Sequence, residues 1–170
     1  MHTIDDPTGK PAFFFARIAY VDDVEEIFLE RQKPVEEDVE FEGQSLRVLH
    51  SRLDAGMVRD LFDGNFETLV RGERANPFVL EIHLPKPQNL RGLRLTVGSM
   101  ADFTVTVRPA PADGSGGPEF VRQFVNLEMD PVVEIPFSSE TLLTSSLRIE
   151  ILDNQAGPEA KIHVREVSWY

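Results

Sequence analysis

An all-β sandwich of about eight antiparallel strands, with a short helix near residues 55–62, is what the sequence predicts. Three observations carry this. Short runs alternate apolar and polar residues, as Phe78, Leu80, Ile82 and Leu84 do against Glu81 and His83. Glycine and proline turns separate those runs at short intervals. Helical spacing is clear only in the stripe Met57, Val58, Leu61 and Phe62.

Residues 1–11 carry Pro7, Gly9 and Pro11 and read as a tail. Ala12–Tyr20 reads as a buried strand, because consecutive exposed phenylalanines (Phe13, Phe14, Phe15) would invite aggregation. Val21–Glu30 fits either a helical face or a bent strand. After the break at Lys33-Pro34, Val39 and Phe41 alternate with Glu40 and Glu42 up to a turn at Gly43. Leu46–His50 is a short strand; Asp54 then caps the brief helix, which Gly64 stops. Phe78–Leu84 and Leu90–Val97 form two neighbouring antiparallel strands around a turn at Lys86-Pro87. Gly98-Ser99 leads into Phe103, Val105 and Val107, and Pro109–Pro118, with three prolines and three glycines, is an exposed loop. Phe120–Leu127, Val132–Phe137, Leu147–Leu152 and Lys161–Tyr170 complete the set. In the last, Ile162 and Val164 keep one parity and Val167 and Trp169 the other, which predicts a bulge near Arg165-Glu166. The expected division is 1–45, a tail with appended strands packing on the sandwich, and 46–170, the sandwich itself.

The 170 residues suit one domain that buries about 70% of its unfolded surface. No apolar run approaches a membrane span, and Met1–Asp6 has neither the basic start nor the apolar core of a signal peptide. With no cysteine, disulfides, thiolate metal sites and cysteine nucleophiles are excluded. A net charge of −12 opposes nucleic acid and anionic membranes, both of which want a basic face. Ten acids against Arg31 and Lys33 in Asp22–Glu42 read as a solvated acidic edge.

The loop Asp63-Gly64-Asn65-Phe66-Glu67-Thr68, the strand Phe78–Leu84 running into Lys86-Pro87, the strand Leu90–Leu95 and the closing Val164-Arg165-Glu166-Val167 share an order and spacing. Together they resemble the discoidin family, the coagulation factor 5/8 type C domains, over roughly Leu46 to Tyr170. That family has an Asp-Gly loop ending in Thr, a strand into a Lys-Pro turn, and a last strand carrying a glutamate. The resemblance implies a galactose-binding-like jelly roll. The chain departs from the pattern after the loop, where Leu69 and Val70 replace the usual tryptophan. The first fifty residues are faintly similar to segments preceding such domains in bacterial membrane glycosyltransferases.

Calcium needs six to eight oxygens on a tightly curled chain. Asp63 and Thr68 offer side-chain oxygens with carbonyls between them, and Glu166 completes the set if the last strand returns beside the loop. The resemblance implies a structural calcium on Asp63, Asn65 (through its carbonyl), Thr68 and Glu166. The other reading is an Asx-type turn with Glu166 bonding nearby amides. Arg71, Glu73, Arg74 and Asn76 offer the forked donors and acceptors that vicinal sugar hydroxyls require. Their alternative is exposed ion pairing with Glu67 or Glu73. The single tryptophan, Trp169, lies on the last strand and reads as core or sheet surface. His83 and His163 read as surface histidines, and neither a nucleophile elbow nor a defined carboxylate pair marks an enzyme.

The expectation is a non-catalytic carbohydrate-binding module, an accessory part of a longer extracytoplasmic protein. Its partner is a glycan or a neighbouring domain of that protein. The rivals are a protein-interaction or assembly domain without sugar ligand and, behind it, a glycoside hydrolase.

Overall fold

The computed structural model describes Ile4–Asp5, Pro11–Ala12 and residues 33–137 and 141–170. It divides into two compact units, Met1–Gln32 and Lys33–Tyr170. In the first, β1 (Ile4–Asp5) pairs antiparallel with β2 (Pro11–Ala12). Beyond Ala12, the expected strand to Tyr20 and the ambiguous segment Val21–Glu30 lie outside the described residues.

The second unit holds β3 (Val35–Phe41), β4 (Gln44–His50), β5 (Leu53–Ala55), β6 (Val70–Gly72), β7 (Phe78–Leu90), β8 (Gly92–Gly98), β9 (Phe103–Pro111), β10 (Phe120–Phe124), β11 (Val132–Pro136), β12 (Leu142–Asp153) and β13 (His163–Trp169). One sheet runs β10-β9-β12-β7-β4-β3 and the other β11-β8-β13-β6-β5. All ladders between these strands are antiparallel. This is a jelly-roll β-sandwich, the predicted class. The strands exceed the expected number of about eight in part because β5 and β6, three residues each, are too short to display alternation.

Period two does set the core. Phe78, Leu80, Ile82 and Leu84 of β7, Phe103, Val105 and Val107 of β9, and Leu147, Ile149 and Ile151 of β12 are buried, as are Leu93, Leu95 and Val97 of β8. Each such side chain contributes about 1.5–3 kcal/mol on leaving water. At the β3–β4 turn, Glu42 and Gly43 take φ of 50° and 74°. Positive φ at both central residues suits a two-residue hairpin. That hairpin straddles the 45–46 division, with β3 bonded to the sheet as its outermost described strand.

Three local expectations are corrected. Pro85-Lys86-Pro87 does not turn the chain: β7 continues through it to Leu90. Prolines cannot donate to a ladder, and the β7–β12 register steps from His83↔Ser146 to Gln88↔Thr144, leaving residues 84–87 across from Ser145 alone. Nor do β7 and β8 neighbour each other; the chain passes between sheets at Arg91, so two successive apolar faces meet across the core. The helix is a single 3-10 turn, Val58–Leu61, and its first N–H partner is not Asp54: Met57 N–H donates to Asp60 Oδ2 at 2.8 Å. The β13 bulge is present, with the register shifting between Val164 and Glu166.

Candidate functional site

The 63–68 loop closes on itself through short-range bonds. Asn65 N–H donates to Asp63 Oδ1 at 2.8 Å and Glu67 N–H to Asn65 Oδ1 at 3.1 Å, as Asx turns do. Gly64, at φ 71°, makes the reversal possible. Thr68 Oγ1 lies 2.6 Å from the Asn65 carbonyl, 3.2 Å from Asp63 Oδ1 and 3.4 Å from the Asp60 carbonyl. One hydroxyl proton serves one of these acceptors at a time, so the loop gathers more oxygens than it has protons to share.

Because β13 is bulged, Glu166 pairs with Thr96 while Val167 faces inward with Leu95. The Glu166 carboxylate is therefore held away from the core and under the loop, where it accepts Gly64 N–H at 3.2 Å. The two predicted halves of the site are thus in contact. Burial, then the nearby Asp63 charge, pushes the Glu166 carboxyl up to about 7 against the small opposing effect of the Gly64 bond. Arg165 supports the same junction: its guanidinium holds Asp130 at 3.0 and 3.2 Å and donates to the Phe66 carbonyl at 3.1 Å. Among the described residues no three histidine, aspartate or glutamate side chains converge as a metal centre. The donors gathered here are two carboxylates, a hydroxyl and carbonyls, the set a hard cation such as calcium takes. Its charge would relieve the Asp63–Glu166 repulsion, so these residues fit that ion.

The 71–76 loop follows directly. Arg71, on β6, donates from Nε to Asp54 Oδ1 at 2.6 Å, and Lys161 Nζ grips the other carboxylate oxygen. Burial works to raise the Asp54 carboxyl; the bonds from Lys161 and Arg71 outweigh it and hold it below its ordinary range. His163, opposite Arg71 in the ladder, is held low by burial and then by the Arg71 charge. Arg74 takes φ 51°, is exposed, and stands 3.9 Å from Glu159. The arginine partners are therefore Asp54 and Glu159, where Glu67 or Glu73 were expected. Glu73 lines a separate cleft beside Arg52.

Asn76 is placed differently from the other three. It is buried, its amide donates toward the carbonyls of Asp153, Ala156 and Gly157 at 3.0–3.1 Å, and its Oδ1 accepts Asp153 N–H at 2.9 Å. Its bonding capacity is used to clamp the 153–157 segment to the loop. Trp169 packs into a ring cluster with Phe41 and Phe62 at centroid distances of 5.0 and 6.3 Å. That places it in the sandwich and not on a sugar-stacking surface. Asp54, Lys161 and Asp130 were not expected at the site: each acts by long-range pairing, and no local spacing signals that.

No protein-family model and no curated protein matches the sequence. The fold, however, is similar to that of several solved structures. The family 32 carbohydrate-binding module of AlyQ, in complex with 4,5-unsaturated mannuronic acid, superposes with a TM-score of 0.58 at 13% identity, covering 79% of this chain and 98% of that one. The family 32 module of NanJ from C. perfringens, in complex with galactose, gives 0.55 at 13% identity over 73% and 92%. A fucose-binding module of Streptococcus pneumoniae gives 0.54 at 15% identity over 72% and 89%. The chain has the galactose-binding-like jelly-roll fold.

Proposed function

We propose that the Lys33–Tyr170 unit is a non-catalytic carbohydrate-binding module, working as an accessory part of a longer extracytoplasmic protein. The observation that carries this is the near-complete overlap with modules solved in complex with sugars. Arg71 and Arg74 read the ligand's hydroxyls, and Asn76 holds their loop to the 153–157 segment. Asp54 keeps the Arg71 guanidinium oriented before a ligand arrives, which lowers the ordering cost of binding. Recognition is an equilibrium event on loops of a rigid sandwich. No ring platform is assigned, so affinity for one saccharide is weak.

A calcium ion on Asp63, Thr68, Glu166 and the Asn65 carbonyl pins the loop to β13; its charge supplies structural stabilisation and no chemistry. Glycan-array binding with Arg71→Ala and Arg74→Ala as controls tests the reading. Retention by the native chain and loss in both variants supports it. Failure to retain any glycan, with self-association or capture by another domain of the parent protein, replaces it with an assembly role.

A further inference from the structure

Beyond Arg71 and Arg74, which do not line it, the β3–β4 hairpin, residues 52–59 and Glu73 enclose a cleft of about 570 Å³, within the range of small-molecule sites, about 300–1,000 Å³. Gly56 shapes its floor: at φ 75° its Cα sits so close to the Leu69 carbonyl that a Cβ would approach the oxygen to 2.2 Å.

Two buried polar atoms on this cleft lack hydrogen-bond partners, His50 Nε2 and Arg52 Nε. His50 is only 2% exposed. Its Nδ1 lies 2.8 Å from the Ser51 carbonyl, which can only accept, so Nδ1 carries a proton and Nε2 is left to bond toward the cleft. Glu37 Oε1 stands 3.4 Å from Nε2 without hydrogen-bond geometry, on a half-exposed side chain free to swing aside. Arg52 Nε–H is an unanswered donor. Buried groups in this state are uncommon and call for an occupant.

The lining narrows its chemistry. Glu37, Asp38 and Glu73 all face the cleft and repel an anion. Arg52 and Arg59 oppose a bare cation, and no metal-binding trio exists among the described residues. A neutral group that bonds both His50 Nε2 and Arg52 Nε is required, and a hydroxyl, which both donates and accepts, serves the two. Met57, 55% exposed at the rim, offers an apolar contact for a C–H face.

From this we infer that the cleft is a second ligand site, for a polyhydroxylated molecule, with His50 and Arg52 as the hydroxyl-reading pair. The choice of a saccharide among polyols rests on the carbohydrate reading above. The test uses the full chain, titrated with the methyl glycosides of galactose, fucose, mannose and glucosamine and followed by 15N NMR of imidazole, guanidinium and backbone amides. Expected are shifts at His50 Nε2 and Arg52 Nε, with binding weakened about three- to tenfold by His50→Phe, which removes the ring nitrogens and keeps an aromatic ring. Met57→Ala, at an exposed position where folding is safe, weakens binding as well. Arg94→Ala, on β8 against Glu134, leaves it unchanged. Shifts confined to Arg71, Arg74 and Asn76, with both cleft variants binding like the native chain, overturn this site and spare the carbohydrate reading. No glycoside bound, and no glycan retained on an array, overturns both; the orphan pair then holds only water.

Discussion

The carboxylate of Glu166 accepts the backbone N–H of Gly64 at 3.2 Å, joining positions 102 residues apart. This bond fastens the last strand to the acidic-glycine loop, and the buried side chain that makes it lies near the Asp63 carboxylate. Calcium at saturating concentration is therefore expected to stabilise the native state, by about 2.7 kcal/mol at a hundredfold excess over Kd. Thermal melting with calcium and with chelator measures this. Asp63→Asn and Glu166→Gln each remove the difference; an identical midpoint in the native chain under both conditions counts against the ion.

Without metal, the same carboxyl sets a pH dependence of opposite sign to ordinary acid denaturation. Its folded pKa, about 7, lies above the unfolded value of 4.5. The folded state then binds more protons, so the contribution is fully present below pH 4.5 and is lost as pH rises through 7. Urea unfolding in chelator is expected to show Glu166 favouring pH 5.5 over pH 8.5. Glu166→Gln flattens that slope, and an unaltered slope contradicts the assignment.

Asn76 fills the bonding needs of three carbonyls and one N–H. Asn76→Ala removes all of these bonds at once, at about 1–3 kcal/mol. Denaturant midpoints give the loss, and amide exchange localises it to residues 153–157 before the sheets respond.

Asp54→Ala frees Arg71 and Lys161 together. Exposed pairs contribute little to folding, so the melting point moves by less than about 1 kcal/mol equivalent. Glycan affinity falls nonetheless, because the guanidinium must be ordered at each binding event. Equal losses in stability and binding would show Asp54 to be only a structural partner.

Ile149→Ala on β12 removes a fully buried side chain between β7 and β9. The expected cost is about 2–5 kcal/mol. Calorimetry checks it, and a value near zero would place Ile149 outside the core.

Alternation made the sandwich legible because every long strand has one wet face: Glu81 and His83 show it on β7, Arg148 and Glu150 on β12. The bulge at Arg165 was legible for the same reason, as a parity change. What alternation cannot report is which sheet a strand joins, and so Leu90–Val97 was taken for the neighbour of Phe78–Leu84. The prolines of β7 misled because a Pro-Lys-Pro run signals a turn unless a partner strand bulges past it. Loop 63–68 and Glu166 were readable through their ordered motif. Asn76 was misjudged because an asparagine's local sequence is the same whether it faces solvent or clamps a distant segment. His50 reads as an ordinary strand residue; its burial at the end of the inward row of β4, after Leu46 and Val48, is what leaves its ring nitrogen without a hydrogen bond.

The skipped residue in β13 also sets where the gene can lengthen or shorten. Arg165 is the extra residue of that bulge: deleting it would leave an unbroken ladder, Val164 against Val97, Glu166 against Thr96 and Val167 against Leu95, with Val167 and Trp169 still facing inward. A residue gained or lost beyond the bulge would instead turn every later position of β13 to the opposite face of its sheet.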